Sequence, residues 1–211
     1  MARGGPLRHN GRDMPDVDVW VVKLDVASDW LPPTSAEAER AARLVSAPLR
    51  QRYLRSHAAL RSILRSYTGA PLDFAPAEFG KPYLPAVPEL KFNLSHSHEM
   101  ALVAVAYGVE VGVDVEWLRP LEECLGIAER FFPPADAAAL AELPRGAREG
   151  EFFRRWTRIE AKLKARGIGL YGADTELDGE WSVLPIEVGP AYTASVAVNC
   201  TGMTARDREF R

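Results

Sequence analysis

The sequence contains few cysteines and no long apolar run. Its 211 residues include only Cys124 and Cys200, too few for a disulfide framework and without the CxxC spacing of a zinc or redox motif. The longest apolar run, residues 100–109, is too short to span a bilayer. Residues 1–15 carry glycine, proline and charge where a signal peptide needs an apolar stretch, so they are interpreted as a flexible tail. These absences favour a globular protein of a reducing compartment, the cytoplasm, with no membrane partner.

Acidic residues are missing from one long stretch of the chain. Between residues 40 and 69 there is no Asp or Glu, but there are seven arginines: Arg40, Arg43, Arg50, Arg52, Arg55, Arg61 and Arg65. The formal net charge of the whole chain is -3, so any attraction for a polyanion must come from this cluster. Guanidinium groups suit phosphate, although a solvated helix face is an alternative explanation. Duplex DNA is disfavoured by the acidic total and the lack of a helix-turn-helix pattern, so we expect no nucleic-acid partner.

Hydrophobic periodicity predicts a chain that mixes helices and strands. Valines alternate with Asp18 and Trp20 in a first strand, and Thr34 with Glu37 forms a capping box at a first helix. A second helix opens at Pro48 and ends before Gly69, and the proline-rich residues that follow are expected to form a loop. The remaining predicted elements are strands over residues 91–94, 101–107, 109–117, 181–188 and 192–198, and helices over 121–131, 136–143 and 148–165.

Three carboxylates stand out on two of these elements. Asp114 and Glu116 lie on one face of their strand, and that face must meet solvent, a cation or a metal. Glu160 and Lys164 are four residues apart on a helix, where a surface ion pair is the simpler interpretation. If the fold brings the strand and the helix together, these groups are equipped to hold a divalent cation against a phosphate ester.

Other kinds of site are disfavoured by what the chain does not contain. His96 and His98 are neighbours, but both cysteines lie far from them, so a structural zinc site is not expected. A serine hydrolase of the α/β type would need a GxSxG nucleophile elbow, which is absent. A two-metal phosphohydrolase would normally need more Asp or His ligands than accompany the three acids.

Four short motifs occur in order along residues 80–164: Gly80-Lys81-Pro82, FNLSHS at 92–97, GVDVE at 112–116 and WTRIEAKLK at 156–164. Each motif alone is weakly specific, but their order and spacing together resemble the Sfp-type 4′-phosphopantetheinyl transferases. The resemblance implies an α+β fold of two similar α/β subdomains related by a pseudo-twofold axis, with coenzyme A in the cleft between them.

The domain boundaries follow from the same resemblance. An N-terminal subdomain, residues 16–108, would contain the basic helices and the nucleotide-binding motifs. A C-terminal subdomain, residues 109–200, would contain the metal-binding strand and helix. Residues 1–15 and 201–211 would be tails. Because the chain would already hold both halves, we expect it to act as a monomer.

The implied activity is a post-translational modification. The enzyme would transfer the 4′-phosphopantetheine arm of coenzyme A to a serine of an apo acyl or peptidyl carrier protein, with Mg²⁺, and release adenosine 3′,5′-bisphosphate. The carrier could serve fatty acid, polyketide or nonribosomal peptide biosynthesis, or a lysine or pigment pathway, and the sequence does not select among them. The alternative is a non-catalytic module that binds coenzyme A or a carrier protein, which should have lost one of the carboxylates.

The resemblance also assigns roles to individual residues. Asp114, Glu116 and Glu160 would bind Mg²⁺ against the pyrophosphate, and Glu160 would also take the proton from the carrier serine. Lys164 and His96 would contact the pyrophosphate. The remaining contacts to coenzyme A would come from Arg40, Gly80, Lys81, Pro82, Asn93 and Ser95, with Gly80, Lys81 and Pro82 at the adenine end and Ser95 at the 3′-phosphate.

One position departs from the family pattern. Ile159 stands where a lysine commonly precedes the glutamate, and this removes a positive charge near the site. Ile159 continues the apolar spacing of Phe152, Trp156 and Leu163, so we expect it on the buried face of the helix.

Overall fold

The computed structural model describes residues 16–26, 28–169 and 180–209, so the predicted tail at 1–15 lies outside the described residues. Five helices and nine strands are present within these ranges, and most agree with the periodicity of the sequence. The helices are α1 (Ser35–Ala42), α2 (Ala47–Arg65), α3 (Cys124–Phe131), α4 (Pro134–Ala141) and α5 (Arg145–Arg166). The strands are β1 (Asp16–Lys23), β2 (Ala75–Pro76), β3 (Pro82–Tyr83), β4 (Leu90–Ser97), β5 (Met100–Tyr107), β6 (Val111–Trp117), β7 (Ser182–Pro185), β8 (Tyr192–Val198) and β9 (Thr204–Glu209).

The larger sheet has the strand order β4-β5-β1-β9. β4 and β1 flank β5 in antiparallel pairings, and β9 joins the far edge parallel to β1. β9 corrects the expectation of a tail over residues 201–211, because residues 204–209 form a strand. The arginines of β9 contact acidic residues of β1, and Arg208 Nε lies 2.9 Å from Oδ1 of the buried Asp18. This ion pair stabilises a polar strand that lacks the apolar alternation used to predict the others.

The smaller sheet, in the order β6-β8-β7, is antiparallel throughout. Its inward-facing valines, Val113 and Val196, share one buried cluster with Val19 and Leu102 of the larger sheet. The two sheets therefore pack across a common core. On its other face, the larger sheet is covered by α2, whose Ile63 belongs to a second cluster.

Helix α5 lies directly on β6 and decides the geometry of the site. Gly112 allows the approach, because a Cβ at this position would collide with Ala161 O and Ala165 N and lie 2.8 Å from Ala165 Cα. The face of α5 turned to the sheets is lined by small and apolar residues, Phe153, Thr157, Ala161 and Ala165, which are all buried.

The predicted apolar stripe of α5 is only partly on the buried face. Phe152 and Leu163 are buried, whereas Trp156 and Ile159 are half-buried and pack against the cluster formed with α3 and α4. Ile159 also lines a surface groove of about 550 Å³ together with basic residues of α5. Within the described ranges, no helix is both long and apolar enough to cross a membrane.

Candidate active site

Strands β4 and β6 meet along a seam of polar side chains. The sequence predicts that this strand ends at Leu94, but β4 continues through Ser97. Asn93, Ser95 and Ser97 are alternate residues, so their side chains point to one face of β4. Each accepts a hydrogen bond from a main-chain N–H of β6, at Val113, Val115 and Trp117 respectively. These bonds hold the acidic strand against the strand that carries the FNLSHS motif.

Asp114 is the most buried acid of the site. Its Oδ1 accepts hydrogen bonds from Ser95 Oγ at 2.8 Å and from Lys164 Nζ at 2.5 Å. Its Oδ2 is buried and has no hydrogen-bond partner. Burial raises the pKa of Asp114, and the nearby Lys164 ammonium opposes this effect. An anionic oxygen that is buried without a donor is costly unless a cation meets it.

Glu116 and Glu160 complete the acidic group. Glu116 Oε2 accepts from Ser97 Oγ at 3.1 Å and from Arg119 Nη1 at 3.0 Å. Burial raises the pKa of Glu160, Lys164 opposes the increase, and the charges of Asp114 and Glu116 add to it. The charges of Asp114 and Glu116 therefore act on Glu160, and a metal site shared by the three carboxylates stays a prediction.

Carboxylate oxygens are the type of ligand that a hard divalent cation prefers. The three side chains are not close enough together to form a complete ligand set. Over residues 16–26, 28–169 and 180–209, no group of three or more His, Cys, Asp or Glu side chains is close enough to hold a metal ion as it stands. The donors are nonetheless all carboxylate oxygens, and Asp114 Oδ2 lacks any other partner. Magnesium takes oxygen ligands and completes its shell with water and substrate phosphate, so it does not need an all-protein cage. The residues therefore fit Mg²⁺.

A cavity of about 820 Å³ opens beside these acids. It is lined by five of the residues assigned to substrate binding, which come from three separate parts of the chain: Pro82, Asn93, Ser95, His96 and Lys164. Its apolar walls include Leu60 of α2 and Phe92 of β4. The volume and the combination of apolar walls with a few polar groups are typical of a small-molecule site.

His96 stands at the wall of this cavity. Its side chain is exposed to the open space, yet the surrounding protein desolvates the ring. Desolvation lowers the pKa of His96, and the neighbouring His57, Lys164 and Arg52 lower it further. The neutral imidazole is therefore favoured at neutral pH, so Lys164 contributes positive charge next to the acids and His96 is an uncharged hydrogen-bonding group.

Lys81 is held by the protein itself. Its ammonium donates to Glu110 Oε2 at 2.8 Å, Val111 O at 3.0 Å and Ala165 O at 2.7 Å, which ties the Gly80-Lys81-Pro82 motif to β6 and α5. Gly80 has φ of +84°, a conformation that favours glycine, in the turn that precedes this lysine. Lys81 and Pro82 also line a second cavity of about 540 Å³.

Four of the seven arginines are engaged inside the protein. Arg50 and Arg55 donate to the main-chain carbonyls of Leu44 and Leu24, Arg52 pairs with Glu99, and Arg61 pairs with Glu37. Two arginines of the acid-free stretch therefore pair with glutamates that lie outside it. Sequence spacing does not reveal these pairs.

Arg40 stands exposed on α1, near the cavity wall. Burial lowers the pKa of His57, which lines the cavity, and the charge of Arg40 lowers it further. Arg40 therefore adds positive charge on the side of the cavity that His57 lines, and its contact with a bound nucleotide stays a prediction. Arg43 and Arg65 are also exposed, and nothing in the structure gives them a role.

The Glu37–Arg61 pair is buried and serves the wall of the cavity. Arg61 Nε lies 2.9 Å from Glu37 Oε1, and Glu37 also completes the capping box of α1 with Thr34.

We expect Glu37→Gln to lower the free energy of unfolding by about 2 kcal/mol, because the buried Arg61 loses its charged partner. Urea denaturation measures the difference. An unchanged midpoint and slope would show that the pair adds nothing to stability.

Comparison with known proteins identifies the family. Residues 110–198 match the model of the 4′-phosphopantetheinyl transferase superfamily. The chain is 38% identical over 166 residues to the 4′-phosphopantetheinyl transferase HetI of Nostoc sp., covering 74% of this chain and 70% of that protein. It is 35% identical over 141 residues to psf-1 of Bacillus pumilus, and 29% identical over 135 residues to Sfp of Bacillus subtilis. These two matches cover 65% and 61% of this chain, and 58% and 59% of the respective relatives.

The chain belongs to the 4′-phosphopantetheinyl transferase superfamily. This finding confirms the resemblance carried by the four motifs, the α+β fold class and the prediction of a phosphopantetheinyl-transferring enzyme. The pseudo-twofold, the subdomain boundaries and the individual roles of the site residues stay predictions. Residues that sequence reasoning left without a role include Ser97 and Arg119, both of which hydrogen-bond to Glu116.

Proposed function

We propose that the protein uses coenzyme A and Mg²⁺ to modify a serine of an apo acyl or peptidyl carrier protein, with release of adenosine 3′,5′-bisphosphate. The observation that carries this proposal is the placement of Lys164. Its ammonium contacts both Ser95 Oγ and Asp114 Oδ1, at the point where the large cavity meets the acidic strand. A phosphate of a nucleotide in this cavity would lie beside the acids that can hold a metal ion.

Coenzyme A would occupy the cavity with its phosphates toward β4. By the resemblance Ser95 would lie at the 3′-phosphate, with its hydroxyl proton kept on Asp114, and Arg40 would add positive charge from α1. Gly80, Lys81 and Pro82 would shape the adenine end, with Lys81 contributing its main chain and aliphatic stem because its ammonium is engaged by three protein oxygens. Asn93 holds the seam through Val113 N, so it would contribute to the cavity wall while supporting the acidic strand.

Glu160 would act as the general base. A carboxylate with a raised pKa is a stronger base, and burial together with Asp114 and Glu116 raises the pKa of Glu160. It would remove the proton of the carrier serine as the serine oxygen forms a bond to the phosphorus that carries the pantetheine arm. The bond from that phosphorus to the leaving adenosine 3′,5′-bisphosphate breaks in the same transfer.

Positive charge at the pyrophosphate would come from Lys164 on α5 and from the metal ion, whereas His96 would donate a hydrogen bond as a neutral imidazole. Asp114, Glu116 and Glu160 would hold Mg²⁺, which when bound neutralises charge on the phosphate oxygens.

Its place of action would be the cytoplasm, as a monomer. Cys124 and Cys200 are both free thiols, as expected in a reducing compartment.

Intact mass spectrometry tests the proposal. Apo carrier proteins of fatty acid, polyketide and nonribosomal peptide type are incubated with the protein, coenzyme A and Mg²⁺, with a chelator in the matched control. We expect a mass gain of one phosphopantetheine arm on at least one carrier, and loss of that gain with chelator because the acids alone cannot neutralise the pyrophosphate. Coenzyme A binding without any transfer would instead support the non-catalytic binding module.

A further inference from the structure

The hydrogen bonds between β4 and β6 form a regular ladder built from side chains. Asn93 Oδ1 accepts from Val113 N at 3.0 Å, Ser95 Oγ from Val115 N at 3.4 Å, and Ser97 Oγ from Trp117 N at 3.0 Å. The two strands belong to different sheets, and each step along β4 is matched by an equal step along β6. Side chains here take the place of the main-chain pairing of two parallel strands.

The two serines of the ladder each hold a carboxylate of β6. Ser95 Oγ donates to Asp114 Oδ1, and Ser97 Oγ donates to Glu116 Oε2. Each hydroxyl thereby accepts from a main-chain N–H of β6 and donates its proton to the side chain of the residue that precedes this N–H. A serine locked in this way has no free rotation left, so its proton points at the carboxylate.

Both carboxylates are held by one oxygen only. Asp114 Oδ1 accepts hydrogen bonds from Ser95 and Lys164, whereas Oδ2 is buried without a hydrogen-bond partner. Glu116 Oε2 accepts hydrogen bonds from Ser97 and Arg119, and no hydrogen bond to Oε1 occurs among the described residues. The arrangement repeats: one serine of β4 and one cation bind one oxygen, and the second oxygen is left for another ligand.

We propose that Ser97 is a positioning residue that orients the Glu116 carboxylate for the divalent cation. This inference rests on the proposed function, since it assumes that the second oxygen of Glu116 would be a ligand of Mg²⁺. Arg119 alone would not fix the carboxylate equally well, because its side chain is about twice as exposed as that of Glu116, at 39% against 20%. Ser97 is fixed at both ends by β4 and by Trp117 N.

Metal binding by Ser97→Ala provides the test, with Mn²⁺ as the probe. The protein is titrated with Mn²⁺ in the presence of coenzyme A, and free Mn²⁺ is measured by electron paramagnetic resonance. We expect the affinity for Mn²⁺ to fall about tenfold, the size of effect seen when a group that orients a metal ligand is removed. The affinity for coenzyme A without metal should stay unchanged. Ser97→Thr, which keeps the hydroxyl, should restore most of the lost Mn²⁺ affinity.

Ser66→Ala is the matched control, because Ser66 is an exposed serine whose hydroxyl donates to Ile63 O at the end of α2. It should leave Mn²⁺ binding unchanged. Undiminished Mn²⁺ affinity in Ser97→Ala, or no recovery in Ser97→Thr, would overturn the positioning role while the proposed function stands. A parallel loss of coenzyme A affinity would assign Ser97 a structural role instead. Absence of Mn²⁺ binding by the unsubstituted protein would overturn the metal site itself, and this inference with it.

Discussion

Glu160→Gln is expected to reduce phosphopantetheine transfer by about 10³-fold while coenzyme A binding remains measurable. The substitution keeps the shape of the side chain but removes the carboxylate that we propose as both base and metal ligand. The proposed coenzyme A contacts lie mainly in the cavity formed with β4 and α2, and Glu160 is not one of the residues that line it. Intact mass spectrometry of the carrier measures transfer, and calorimetry measures the binding of coenzyme A.

Glu142→Gln supplies the control for this prediction. Glu142 is exposed at the end of α4, so the same chemical change there should leave transfer at its original rate. If Glu160→Gln abolished coenzyme A binding together with transfer, Glu160 would be a binding or structural residue. If it affected neither, the base would have to be sought elsewhere.

Local sequence patterns were sufficient for the elements that carry the site. The alternation around Asp114 and Glu116 placed both on one face of a strand, and the four-residue spacing of Glu160 and Lys164 placed them on one face of a helix. What spacing alone could not decide was whether these faces meet. For that isolated question the surface ion pair was the simpler interpretation, and the ordered motifs supplied the family context that favoured a shared site.

The features that escaped prediction depend on partners distant in sequence. β9 has polar, charged residues and becomes a strand because Arg206 and Arg208 meet Asp16 and Asp18 of β1. The last residues of β4 looked like a polar connection because serine is neutral to poor in strands without cross-strand partners. They extend the strand because their main chain pairs with β5, and β6 supplies N–H donors to the Ser95 and Ser97 side chains at the same spacing.

Gly112→Ala is expected to destabilise the protein by about 3 kcal/mol and to abolish most transfer activity. The added methyl group would meet main-chain atoms of Ala161 and Ala165, which cannot rotate away as a side chain can. Helix α5 would have to move off β6, and this would separate Glu160 and Lys164 from Asp114. Urea denaturation gives the loss of stability, and the carrier mass assay gives the loss of transfer.

Gly126→Ala makes the same chemical change where there is room for it. Gly126 lies in α3, and apart from its chain neighbours and the main chain of its own helix, no heavy atom lies within 4 Å of where its Cβ would be. Because alanine is the better helix former, this variant should be more stable by about 0.5 to 1 kcal/mol, with unchanged transfer. A Gly112→Ala protein as stable and active as the Gly126→Ala protein would mean that α5 does not need its close approach to β6. The distance between the acidic strand and the base would then be set by some other contact, of which the β4–β6 ladder is the first to examine.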